Sequence, residues 1–102
     1  MNRLKGFPGD GGGNRIVITV IGPDRVGIIA AVSTVLAENS INILDISQTI
    51  MQEFFVMVLV ADMAGSDLNM LSLKELLVKK GEELAVRIDA QHEDIFKFMH
   101  RI

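Results

Sequence analysis

The side chains able to do chemistry are few, and their spacing argues against an enzyme. His92 and His100 lie eight residues apart near the C-terminus with no matching ligand pair, so they read as surface histidines and no metal site is expected. None of the serines occupies a GxSxG elbow, and no histidine sits where it would obviously meet one. Nucleophilic catalysis therefore has no support. The chain holds no cysteine, which removes disulfides, thiolate metal sites and cysteine nucleophiles; it fits a reducing compartment, with the cytoplasm as the default. Asp24 stands at a strand-to-helix turn and Asp45 on a nearby strand. Without a histidine or lysine in reach by sequence, these carboxylates suit capping and ligand orientation better than acid–base work.

A binding role suits the turn IGPDRVGII better. Gly22 and Pro23 stop a strand, Asp24 starts a helix, and Gly27 removes a side chain where a small molecule or another subunit could approach the backbone. The first-turn amides near Val26, Gly27 and Ile28 point outward with partial positive charge, a receptor suited to a carboxylate. An amino acid also needs its ammonium group held. Asp24, Asn42 and Asp45 offer oxygens for that in one expected neighbourhood, since Asn42 opens the strand that returns beside the helix. The plainer alternative makes Asp24 only a cap, Gly27 a packing contact and Asn42 a turn residue. Residue types alone leave both open.

These residues must be positioned by the elements around them. Five of the nine glycines fall in residues 1–13, MNRLKGFPGDGGG, where ordering the backbone would cost about 1 to 2 kcal/mol per residue; a loose tail is expected there, with one domain over residues 14–102. A phosphate-loop reading fails because these glycines precede the first strand and fit neither GxxxxGK[ST] nor a complete GxGxxG; no cofactor is expected. RIVITVIG reads as a strand buried on both faces. Asp24 to Asn39 reads as a helix with Val26, Ile29, Ala30, Ser33, Leu36 and Ala37 as its packing stripe. INILDISQTI alternates, with Leu44, Ile46 and Ile50 on one face and Asp45, Ser47 and Thr49 on the other. After a bend at Met51 and Gln52, EFFVMVLVAD is apolar on both faces.

A second helix follows, carried by Met70, Leu73, Leu76, Leu77, Lys80 and Leu84, then a strand VRIDAQ and a closing helix with Ile95, Phe98, Met99 and Ile102 on one stripe. The order β, α, β, β, α, β predicts an α+β fold, a ferredoxin-like βαββαβ sandwich with a short C-terminal helix. Strands one and three are then the central pair. Two helices cover only one side of such a sheet, so the apolar residues on the other side or on an edge call for a second subunit or the closing helix. A homodimer or higher even oligomer is expected.

Composition narrows the partners. Ten Lys plus Arg against thirteen Asp plus Glu give a net charge of −3, which repels phosphate backbones and argues against nucleic acid. RNA binding through the sheet ranks low too, with no Tyr, no Trp and no RNP-type run. The longest apolar run, Phe54 to Ala61, falls well short of the roughly 20 residues of a spanning helix, so no membrane association is expected.

The stretch GPDRVGIIAAVSTVLAENSINILDISQTIMQEFFVMVLV resembles the ACT domain, the small ligand-binding module of amino-acid metabolism. The resemblance covers most of Ile16 to Ala90 and is carried by Gly22, Asp24, Arg25, Gly27 and Ile28, then by Asn42, Ile43 and Asp45. The DRVGI turn, the DISQT strand and the closing helix look like the stand-alone, single-domain members of bacteria and archaea. The resemblance implies side-by-side or face-to-face association and an effector, often an amino acid, bound at the subunit interface. It puts Gly22 and Asp24 in the loop after the first strand, and Asn42 at the start of the second, at positions used for ligand contact. The chain departs from the commoner DRPGI by carrying Val26 where proline is frequent.

Two functions are expected from this. One is a non-enzymatic regulatory or sensor module binding an amino acid or similar small ligand between subunits. The alternative is a protein-interaction module without a small ligand, docking a partner on the apolar face marked by Phe55, Met57 and Leu59.

Overall fold

The computed structural model describes residues 14–23 and 26–99. The expected tail, Asp24, Arg25, His100 and Ile102 lie outside the described residues. The elements run β1 (Arg15–Pro23), α1 (Ile28–Glu38), β2 (Asn42–Met51), β3 (Phe54–Asp62), α2 (Met70–Leu84), β4 (Arg87–His92) and α3 (Glu93–Met99). The four strands form one antiparallel sheet in the order β2-β3-β1-β4. This is the ferredoxin-like arrangement, with β1 and β3 central as their composition requires.

One face of the sheet carries Ile16, Ile18 and Val20 of β1, Phe55, Met57, Leu59 and Ala61 of β3, and Ile88 and Ala90 of β4, all buried. They meet Ile28, Val32, Val35 and Leu36 of α1 and Leu73 and Leu77 of α2 in one core. Burial of these side chains supplies the main driving force, at about 1.5 to 3 kcal/mol for each fully buried large residue. The other face holds Val17, Thr19 and Ile21 on β1, opposite Val60, Val58 and Val56 on β3. Helix α3 packs back over β1 and β4 on this side, and Val17 is only 4% exposed. Arg15 Nη2 ties the start of this helix down through Glu93 Oε2 at 3.0 Å. The expected cover on both faces of β1 is met at Val17 but not at Ile21, which stays exposed.

Three expected helix and strand faces need correction. Helix α1 begins at Ile28 with Gly27 as its N-cap, not at Asp24, because the left-handed turn at Gly27 is not helical; Leu36 is buried as expected and packs with Ile28, Val32 and Val35, whereas Ile29, Ala30 and Ala37, and Val26 before the helix, are exposed. The segment is apolar around most of its circumference, so two stripes fit the same spacing and only the docking onto the sheet chooses between them. In β2 a bulge sets Ile43 opposite Ala61 and Asp45 opposite Val60, so Ile43, not Leu44, joins Ile46 and Ile50 on the helix side. In α3 the recess against Val17, Thr19 and Ile21 is lined by Phe96, which was not expected, and by Met99, which was; Ile95, Phe98 and Met99 itself remain exposed. In α2, Leu73 and Leu77 are buried as expected and Leu76 is exposed. No helix among the described residues is long and apolar enough to cross a membrane.

Candidate functional site

The start of α1 is built by an unusual turn. Gly27 is the N-cap at φ 93°, in the left-handed region, and accepts only the first helical bond, from Ala31 N at 2.9 Å. Glycine adopts that conformation without the clash a Cβ would bring. No side-chain capping bond is made there among the described residues, so the N–H groups of Ile28, Ile29 and Ala30 are left without an intrahelical partner. Beside this helix start lies a groove of about 570 Å³ lined by Gly27, Ile28, Ile29, Ala30, Gln48, Thr49, Ile50 and Phe55. This groove lies between the first turn of the helix and the last residues of β2, an edge strand.

The residues expected to share one neighbourhood are placed as follows. Gly27 and Ile28 line the groove, and Val26 is fully exposed beside them. Gly22 is not in a loop: it is a buried residue of β1, paired with Phe55. A Cβ there would come within 2.8 Å of Val86 Cγ1 and 3.0 Å of Val86 Cα, so the close approach of the chain before β4 accounts for this glycine. Asn42 pairs with Asp62, whereas Ile50 pairs with Phe55. Eight residues of extended chain, about 26 Å at roughly 3.3 Å each, therefore separate Asn42 from the groove in the same chain. The expected meeting of Asn42 with the helix start does not occur within one chain. Asp45 shares the face of Val60, away from the groove, and its Oδ1 accepts from Ile46 N at 2.9 Å.

Ile29, Gln48, Ile50 and Phe55 were not singled out as site residues by the sequence. The signal that finds Gln48 and Ile50 is strand register: counted from the hairpin, both oppose helix-side residues of β3, Met57 and Phe55. The expected docking face of Phe55, Met57 and Leu59 is also corrected, because α1 and α2 bury all three. On the other face of the sheet the exposed apolar residues are Phe54, Met51 and Ile21, while Ile46 and Ile50 of the edge strand are exposed on the helix side. His92 is half-buried at the end of β4, beside Asn14, Ser66 and Asn69 in a recess at the start of α2, and is not the surface residue expected. Among the described residues no group of three or more His, Cys, Asp or Glu is placed to hold a metal ion.

Comparison with known proteins bears on this arrangement. The ACT domain family model matches residues 14–91. A UPF0237 protein of Methanocaldococcus jannaschii is 55% identical over 89 residues, covering 87% of this chain and 99% of that protein. The structure of an ACT domain protein from Streptococcus pneumoniae superposes with a TM-score of 0.73 at 37% identity, covering 81% of this chain and 93% of that one. A formyltetrahydrofolate deformylase from Pseudomonas syringae shares the fold at a TM-score of 0.72 and 24% identity, over 79% of this chain but only 28% of its own. With a family model running from the residue before β1 into β4, and relatives matched nearly end to end, this chain belongs to the ACT domain family, alongside the UPF0237 proteins.

Proposed function

We propose that this chain is a non-enzymatic regulatory or sensor module that binds an amino acid or a similar small ligand at an interface between identical copies. The observation that carries this reading is the groove at the start of α1, where helical N–H groups lacking an intrahelical partner lie beside an unpaired strand edge. Aligned peptide dipoles make that helix start attractive to a carboxylate. The deformylase likeness adds support, since there the same fold makes up a minor part of a larger chain, as a module would.

Strand β2 offers ten residues of edge backbone, a surface that recruits another strand unless it is covered. A two-fold axis perpendicular to the sheet pairs two such edges antiparallel. That geometry carries Asn42 of the partner subunit to the Ile50 end of this strand, beside the groove. Asn42 then serves the site in trans, with Asp24 offering a carboxylate to the ligand's ammonium group and Val26, Gly27 and Ile28 forming the helix-start receptor. Gly22 acts only by permitting the packing at Val86, and Asp45 takes no part. A reducing, cytoplasmic setting fits this role and the absence of cysteine.

The test is a thermal-shift screen of the twenty amino acids combined with light scattering. At a concentration of about 100 times Kd, a bound ligand adds roughly 2.7 kcal/mol, and about 1 kcal/mol moves the midpoint of a domain this size by roughly 4 to 8 °C. A homodimer and at least one strong response are expected; a strict monomer that answers to no amino acid at millimolar levels disposes of the reading. A second reading, docking of a protein partner on the α3 side of the sheet, is favoured by Phe54 and Met51, which are 54% and 60% exposed. A stable oligomer indifferent to every amino acid would favour it.

A further inference from the structure

We infer that α3 is a detachable cover, latched at its first residue by the Arg15–Glu93 ion pair, which lifts off the sheet as a unit while the βαββαβ body stays folded. Its attachment is slight. None of its residues is buried, Ile95 and Met99 are 52% and 57% exposed, and its seven residues fall well short of the roughly 12 to 15 needed for a helix to hold by itself in water. Phe96 is its half-buried apolar side chain. Even there the fit is open, because a recess of about 260 Å³ is bounded by Phe96 and Met99 of α3 and by Val17, Thr19 and Gln91 of the sheet. Side chains that face such a gap forgo dispersion contacts on that side.

The junction that carries the cover is also where polar groups go unmet. Among the described residues, the buried side-chain nitrogen and oxygen atoms without a hydrogen-bond partner are Arg15 Nε, Gln91 Oε1 and His92 Nδ1. Gln91 and His92 end β4 directly before α3, and they pair with Val17 and Ile16 of β1, next to Arg15. Arg15 and Gln91 share with Val17 the sheet face on which α3 lies. A buried polar atom without a partner is destabilising, and opening the segment above it lets water restore the bond. The Arg15–Glu93 contact works the other way: it spans 3.0 Å with both side chains only 17% exposed, so salt screens it less than an open surface pair. Closure thus sets one sheltered ion pair and the half-buried Phe96 against unmet polar atoms. The closed and open forms then lie close in free energy, the condition for local opening without global unfolding. What opening uncovers is Val17, buried with α3 in place, which joins Val56, Val58 and Val60 in one apolar strip across β1 and β3. This device is independent of the ligand site proposed above.

Native-state hydrogen exchange of the full chain, read residue by residue by NMR, tests the cover. The amides of Lys97, Phe98 and Met99 are expected to be at least about a hundredfold less protected than those of Ile18 and Val20 in the central strand β1. Glu93→Gln should speed the exchange of the three α3 amides by about three- to tenfold. Gln91→Met, which removes an unmet acceptor, should slow it by about threefold or more. Protection at Ile18 and Val20 should stay as in the parent chain in both variants. Equal protection of α3 and β1 overturns the inference, since the helix would then leave only when the whole fold does. An α3 exchange rate that Glu93→Gln leaves unchanged, or that Gln91→Met fails to slow, overturns it as well.

Discussion

The two crossover helices start differently, although the fold uses them alike. Helix α2 opens with Asn69, whose side chain accepts from Ser72 N at 2.8 Å, and its buried Leu73 and Leu77 follow at once. Helix α1 opens on Gly27 in a left-handed conformation, with no side-chain capping bond among the described residues and a groove beside it. Ordinary helix starts satisfy a donor with a side chain, because an uncapped one is less stable by about 1 kcal/mol. The contrast teaches that α2 is capped by a side chain of its own, whereas the start of α1 relies on a glycine turn with no side-chain cap among the described residues. The proposed ligand site occupies the latter.

The largest effects should show that the two helices are nevertheless docked alike. Leu36→Ala in α1 and Leu77→Ala in α2 each remove a residue at most 1% exposed, and each is expected to cost about 2 to 5 kcal/mol in denaturant unfolding. A loss below about 1 kcal/mol at Leu36 alone would break the comparison, since it would mean that α1 is only loosely seated. Next comes Gly22→Ala, expected to cost about 1 to 3 kcal/mol by overpacking, because the new Cβ would lie 2.8 Å from Val86 Cγ1. Its residual response to amino acids should match that of the parent chain, which would separate this packing glycine from the groove glycine five residues later.

The smallest effects sharpen the contrast at the helix starts. Asn69→Ala should lower stability by about 1 kcal/mol, read as a midpoint drop of roughly 4 to 8 °C. At Gly27 an added Cβ meets nothing within 4 Å, so the cost there is conformational. Gly27→Ala is expected to lose about 1 kcal/mol and Gly27→Asn less, since asparagine tolerates the left-handed region better. Equal losses for alanine and asparagine would show that something other than backbone conformation holds that turn.

How far the residues announce this arrangement depends on the kind of pattern they carry. The β-branched runs of β1 and β3 are central because they lack a polar face, and that is legible in RIVITVIG and FFVMVLVA. The stripe of α2 is mostly legible because charged residues surround Leu73 and Leu77. The stripe of α1 is not, since IIAAVSTVLA is apolar nearly all round. The bulge at Leu44 escapes an alternation count because one extra residue changes the face of everything beyond it without changing residue types. Within the candidate site, Gly27 and Ile28 were legible from the turn IGPDRVGII; Gln48, Ile50 and Phe55 were not, because they join it only through pairing with distant strands.

Sequence alone determined the element order and the central strands, because each follows from local residue types and short spacings. Tertiary structure decided which helix stripe is buried, that Gly22 makes room for Val86, and that Asn42 stands at the far end of its strand from the groove. Those outcomes depend on strand register and on how the helices settle onto the sheet. Both are set by contacts between residues far apart in the chain, which no local pattern encodes.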